Sequence, residues 1–107
     1  LLGIGVNGHV GFNEPGCHPD SPCRVTALTK STLERNGYHP GTRAVTLGIA
    51  EIMSAQRIIM VATGVAKSSA MKAMIDGPQS ADCPASHLRR HTDIKLFLDR
   101  AAAKDLL

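Results

Sequence analysis

The chain has 107 residues and a net charge of +3 with neutral histidines, and its aromatic content is only 3%, with no Trp. So few rings exclude a stacking platform for single-stranded nucleic acid. The basic residues are scattered, with no cluster denser than Arg89-Arg90, so the stripe that a nucleic-acid footprint needs is missing. The longest apolar run, residues 58–62, falls far short of the ~18 residues that cross a bilayer. Neither a nucleic-acid nor a membrane partner is expected, whereas a mildly basic surface suits a small anion. No charged start followed by an apolar stretch and a cleavage site reads as a secretory signal. Cys17, Cys23 and Cys83 form no C-x-x-C pair, so a reducing, cytoplasmic setting is expected rather than a disulfide framework.

In chain order, residues 1–6 (LLGIGV) read as a buried strand entering a glycine-rich turn. No cap or polar lead-in precedes them, so residues 1–107 are expected to be the C-terminal part of a larger domain. Residues 8–22 hold three Pro and three Gly and form a long loop, a length usually reserved for function. Residues 23–28 suit a short strand. Residues 29–37 suit a short helix, capped by Thr29 and stopped by Gly37. His39-Pro40-Gly41 is a turn. A second helix follows Thr46 as N-cap, with Leu47, Ile49, Ala50, Ile52 and Met53 at helical spacing. Residues 57–63 (RIIMVAT) form a buried strand ended by Gly64, and residues 65–75 a helix closed by Gly77-Pro78. Pro84 opens a short helix, residues 93–99 form another strand, and residues 101–107 a final helix. Alternating strands and helices, with Ile-, Val- and Leu-rich strands, predict an α/β fold with a mostly parallel sheet covered on both faces.

Gly3, Gly5 and Gly8 match G-x-G-x-x-G. A dinucleotide site needs a helix to open there, and Gly11, Pro15 and Gly16 prevent one. The glycines are better read as letting a loop pack tightly at a strand end. That loop carries Asn7, His9, Asn13 and Glu14 beyond the carboxyl end of a strand, where ligands of open α/β sheets bind. A histidine moves protons near neutral pH, and a carboxylate such as Glu14 would fix its tautomer and stabilise its charged form. Lys67 falls in the first turn of a helix that follows a strand end. That end already carries partial positive charge, so the lysine has the unfavourable sign unless an anion binds there, as phosphate readily does.

The stretch LGIGVNGHVGFNEPG at residues 2–16 closely resembles the signature of the glucosamine-6-phosphate deaminase/isomerase family. The resemblance continues at residues 23–28 (CRVTAL), 44–55 (AVTLGIAEIMSA), 58–67 (IIMVATGVAK), 84–91 (PASHLRRH) and 98–103. It implies a Rossmann-like three-layer sandwich, incomplete here at its N-terminus, and conversion of an amino-sugar 6-phosphate to a ketose 6-phosphate and ammonia, with no redox cofactor and no metal. Many members are homo-oligomers. By resemblance, His9 assists sugar-ring opening, Glu14 pairs with it, and Asn7 occupies a position that is Asp in many members. Lys67, in the turn that starts at Gly64, contacts the substrate phosphate, and Arg24 matches an arginine near an effector or loop site. The family's amino-terminal phosphate loop and its C2-proton aspartate have no counterpart in these residues, so the isolated chain is expected to be inactive. Tyr38 stands where deaminases of the main type carry a phosphate-binding arginine. Arg43 is the expected substitute, and the shorter segment before Ala44 looks more like the galactosamine-6-phosphate branch.

Two rivals accompany this reading: a non-catalytic sugar-phosphate regulator on the same fold, and a 6-phosphogluconolactonase-like hydrolase. The His9–Glu14 pair weighs against the first, and the FNEP run at residues 12–15 against the second. Cys17, His18 and Cys23 lack a fourth ligand at zinc spacing. His87 and His91 read as surface residues, Met53, Met60, Met71 and Met74 as core filler, and Ser68 and Ser69 have no nucleophile-elbow context.

Overall fold

The computed structural model describes residues 1–106. Strand β1 (Arg24–Ala27) leads to helix α1 (Lys30–Asn36), then to strand β2 (Arg43–Thr46) and helix α2 (Ile49–Met53). Strand β3 (Ile58–Ala62), helix α3 (Ser68–Asp76) and strand β4 (Ile94–Leu98) complete the main elements. Single 3₁₀ segments run over Val65–Lys67, Pro84–Arg90 and Lys104–Leu106.

The β3 and β4 strands pair in parallel, from Ile58 opposite Ile94 to Ala62 opposite Leu98. On the other edge of β3, the Leu2 amide donates to the Ile59 carbonyl at 2.8 Å and the Leu2 carbonyl accepts from Val61 at 3.0 Å. The strand expected over residues 1–6 thus shrinks to one bridge at Leu2. The chain turns back at once, with the Gly5 amide donating to His9 and the Gly8 amide to Gly5, both at 2.9 Å. This places the residues after Gly5 at the carboxyl end of β3, where a ligand site of an open α/β sheet belongs.

A core of Met60 from β3, Met71 and Met74 from α3, Ile49 from α2 and Leu88 from the Pro84–Arg90 segment is fully buried. Arg89 donates from Nη1 to the Ile75 carbonyl at 2.8 Å, which satisfies one of the orphan carbonyls in the last turn of α3. The expected covering of both sheet faces is met on this face, whereas Val61 and Phe97, which lie opposite each other in register, are exposed on the other.

The second sheet was only half legible. Its strands pair antiparallel, Arg24 opposite Thr46 and Ala27 opposite Arg43, and β2 was not expected. Thr46 ends that strand and does not cap α2. Its hydroxyl accepts from the Phe12 amide at 2.9 Å and donates to the Leu47 carbonyl at 2.9 Å. Gly48 stands at the N-cap, its amide held by the Glu51 carboxylate at 3.1 Å. Helix α1 matches expectation: the Thr29 hydroxyl accepts from the Thr32 amide at 3.3 Å, and Gly37, with φ of 68°, closes it in the left-handed region. The expected helix over residues 65–75 opens instead as the Val65–Lys67 turn, and the expected final helix is a turn followed by Lys104–Leu106, with Leu107 outside the described residues.

Candidate active site

The site starts with a close approach. A Cβ added to Gly5 would fall 2.1 Å from the His9 ring, so the imidazole lies against backbone that only glycine leaves open. This is the work of the glycine run, and no helix opens after it. The ring Nδ1 lies 2.7 Å from Asn7 Oδ1 and 2.9 Å from Glu14 Oε1. Both partners are acceptors, so we assign the proton to Nδ1, which leaves the lone pair on Nε2.

The groups around His9 are themselves held. Asn7 accepts the His9 amide on Oδ1 at 3.2 Å and donates from Nδ2 to Glu14 Oε1 and to Thr29 Oγ1, each at 3.3 Å. Glu14 accepts the Thr29 amide at 2.7 Å and the Thr32 hydroxyl at 2.8 Å. Burial pushes the Glu14 carboxyl up, but hydrogen bonds led by the Thr29 amide outweigh it and hold the group below its ordinary value. The carboxylate is therefore charged at neutral pH. Burial pushes the His9 imidazole down, Glu14 pulls it up, and the positive charge of Lys67 pushes it down again. The net direction is below the ordinary value, so at neutral pH Nε2 is a base.

Lys67 ends the turn before α3, and its ammonium donates to the Ile4 carbonyl. Burial, and then the charge of Arg35, lower its pKa. His9, Thr32, Arg35, Asn36 and Lys67 line one cleft of about 620 Å³. The Phe12 ring lines it too, its centroid 6.2 Å from that of His9.

The structure thus brings His9 and Lys67 into one cleft, with Asn7 and Glu14 bonded to His9 outside its lining. Gly64 is not among the lining residues: its φ is 91° and its amide is held by both Asp99 carboxylate oxygens at 3.1 Å, so it offers no N–H to the cleft. Arg43 is also placed elsewhere. It sits exposed at the start of β2 and does not line the cleft, although Val45 and Thr46 of the same strand do, while the lining arginine is Arg35 on α1. Arg24 is a loop clamp, donating to Asn13 Oδ1 at 2.8 Å and to the Pro22 carbonyl at 3.1 Å. Asn13 is fully buried and pins the Val10 and Leu47 carbonyls, each at 2.9 Å.

Sequence reasoning missed Thr29 as a partner of Glu14, and missed Thr32 and Arg35 altogether. Thr32 and Arg35 are three apart on a helix and so share a face. That spacing was the available signal, but it points nowhere until Thr32 is seen to face Glu14.

The family model for glucosamine-6-phosphate isomerases/6-phosphogluconolactonase matches residues 1–97. The chain belongs to this family. Within it, the chain is 47% identical to a glucosamine-6-phosphate deaminase of Enterococcus faecalis, across 99% of this chain and 48% of that protein. It is 48% identical to one of Streptococcus thermophilus, again across 99% and 48%. The fold superposes on a solved monomeric glucosamine-6-phosphate deaminase with a TM-score of 0.92 at 40% identity, covering 98% of this chain and 46% of that one. It also superposes on a 6-phosphogluconolactonase from Trypanosoma cruzi, with a TM-score of 0.76 at 25% identity, covering 99% of this chain and 40% of that one. The α/β fold is that of these proteins, and the chain spans about half the length of the curated relatives it matches. Among the described residues, no helix is long and apolar enough to cross a membrane.

Proposed function

We propose that this chain supplies the ring-opening and phosphate-binding part of an amino-sugar 6-phosphate deaminase/isomerase, its residues 1–107 forming the C-terminal part of that domain. The reaction would take glucosamine 6-phosphate, or its galactosamine epimer, to a ketose 6-phosphate and ammonia. The observation that carries this reading is an imidazole held at Nδ1 by Asn7 and Glu14, its Nε2 free of any hydrogen bond among the described residues, in a cleft shared with an ammonium group.

The chemistry follows from that geometry. Nε2 takes the proton of the anomeric hydroxyl as the bond between the anomeric carbon and the ring oxygen breaks. The imidazolium, stabilised by Glu14, then returns the proton to that oxygen, leaving an open-chain aldehyde. Lys67 pairs with the 6-phosphate and fixes the sugar against the ring. The FNEP run at residues 12–15 and the higher identity to deaminases than to the lactonase both support this reading over lactone hydrolysis. Free thiols at Cys17, Cys23 and Cys83 suit the cytoplasm, where such a substrate would be met.

Ammonia release from both epimers, measured beside lactone hydrolysis with the protein expressed from its native reading frame, tests the proposal. Release from one epimer with no lactone hydrolysis is expected. Lactone hydrolysis without ammonia would reverse the reading, and sugar-phosphate binding without turnover would make the protein a regulator. Light scattering on the same sample reads whether copies associate, as the family resemblance implies.

A further inference from the structure

We propose that Arg35 is a substrate-phosphate ligand of this site, working with Lys67 as a two-cation clamp in the role that the sequence pointed to for Arg43. The inference rests on the sugar-phosphate reading above and adds the second ligand to it.

Three observations carry it. First, the described residues lining the cleft include two cations, Arg35 and Lys67, and no carboxylate. A cleft whose lining carries two positive charges, with the Glu14 carboxylate engaged by His9 and Thr32 behind it, suits an anion. Second, the Arg35 guanidinium makes no hydrogen bond or ion pair among the described residues. Four other arginines are engaged: Arg24 with Asn13, Arg57 with Asp93, Arg89 with the Ile75 carbonyl, and Arg90 with the Pro19 carbonyl, whereas Arg43 and Arg100 have no such partner among the described residues but do not line the cleft. The donors of Arg35 are thus left for a ligand, and a planar guanidinium matches two phosphate oxygens at once. Third, α1 is oriented by the catalytic end of the site. Thr32 is fixed on Glu14, and Arg35 follows one turn later on the same face, so the helix that braces the carboxylate also sets the arginine across from Lys67. The two cations are close enough that Arg35 depresses the pKa of Lys67, a repulsion that a bound dianion reverses.

The occupant is the ester phosphate of a hexose. The probes are inorganic phosphate by calorimetry and the amino-sugar 6-phosphates by kinetics, on wild type, Arg35→Ala, Arg35→Lys and Arg43→Ala. We expect Arg35→Ala to weaken phosphate at least tenfold and to raise KM by a similar factor while kcat changes less than threefold. That is the size expected for one lost charge-assisted pair. Arg35→Lys should fall between, because a point charge keeps attraction but not the fork, and Arg43→Ala should match wild type. Arg35 is exposed and has no hydrogen-bond or ion-pair partner among the described residues, so these variants should fold, and circular dichroism checks this. Phosphate affinity within twofold of wild type in both Arg35 variants overturns the proposal, as does a loss seen only in Arg43→Ala. The calorimetry stands apart from turnover. If no ammonia is released but phosphate binding depends on Arg35, the deaminase reading fails and the clamp stands. If ammonia is released and phosphate ignores Arg35, the reverse holds.

Discussion

The two ends of the cleft are built on opposite plans. At the His9 end the imidazole Nδ1, both Glu14 oxygens and the Asn7 amide are all satisfied within the chain, and Glu14 is only 7% exposed. At the Lys67 end, among the described residues, the ammonium has one backbone carbonyl and Arg35 has no partner. The difference fits the partner proposed for each end. A proton-transfer group must be oriented before the substrate arrives, because misplacement by about 1 Å can cost ~100-fold in rate. An anion-binding end gains from staying unpaired, since the ligand then supplies the counter-charge.

The sharpest way to break the comparison is to remove the oriented end. His9→Ala should lower kcat by about 10²- to 10⁴-fold, the usual worth of a positioned acid–base group, with KM little changed. Glu14→Gln keeps the shape but removes the charge that pulls the imidazole up, so the pKa of His9 should fall further in a ¹⁵N-imidazole titration. Unchanged turnover in His9→Ala would remove the imidazole from the chemistry.

The next effect comes from the backbone beneath the ring. Gly5→Ala places a methyl where the imidazole lies, and the ring must move off Asn7 and Glu14. A loss of roughly 10- to 100-fold in kcat is expected, with the ¹⁵N titration of His9 shifted in the same variant. A kcat within twofold of wild type would mean that the ring's seat on Gly5 is incidental.

Much of this site was legible in the sequence, and the reason is local. His9, Glu14, Asn7 and the glycine under the ring all sit within ten residues, so a short motif holds most of the geometry. Lys67 stands out in sequence as a cation in the first turn of a helix, but the structure puts it in the 3₁₀ turn just before α3, from which it lines the cleft. What stayed hidden lies across long separations. Thr29 reads as a helix cap and Thr32 as an ordinary helix residue until tertiary contact with Glu14 gives each a further use. The sequence points to Arg43, and only the cleft lining, which includes Arg35 and not Arg43, separates the two. Thr46 was misread for a related reason, because its hydroxyl is claimed by the Phe12 amide from 34 residues away.

Acid should unpick the oriented end in two steps. His9 has its folded pKa below the unfolded value of 6.5, so the unfolded chain binds more protons in that window, and stability falls as pH drops below about 6.5. Glu14 has its folded pKa below 4.5, so its contribution is present above that value and is lost as pH falls through the folded pKa. Urea melts from pH 8 down to about pH 2 should show both. Glu14→Gln should erase the lower step and deepen the upper one, because the imidazole loses the charge that had partly restored its basicity. A flat profile in wild type would contradict the assigned directions.

The smallest effect probes the open end alone. Arg35→Ala removes the like charge that adds to burial in depressing the Lys67 ammonium, so the lysine pKa should rise toward 10.5 without reaching it, since the contact with Ile4 and the burial remain. Inorganic phosphate added to wild type should move the same resonance in the same direction by supplying negative charge, and should move it less in the variant. The sign of these two shifts is what distinguishes a pair of cations sharing a ligand from two solvated side chains at a common rim: screening by bulk salt would shrink the arginine's influence, whereas a bound dianion would reverse it at fixed ionic strength.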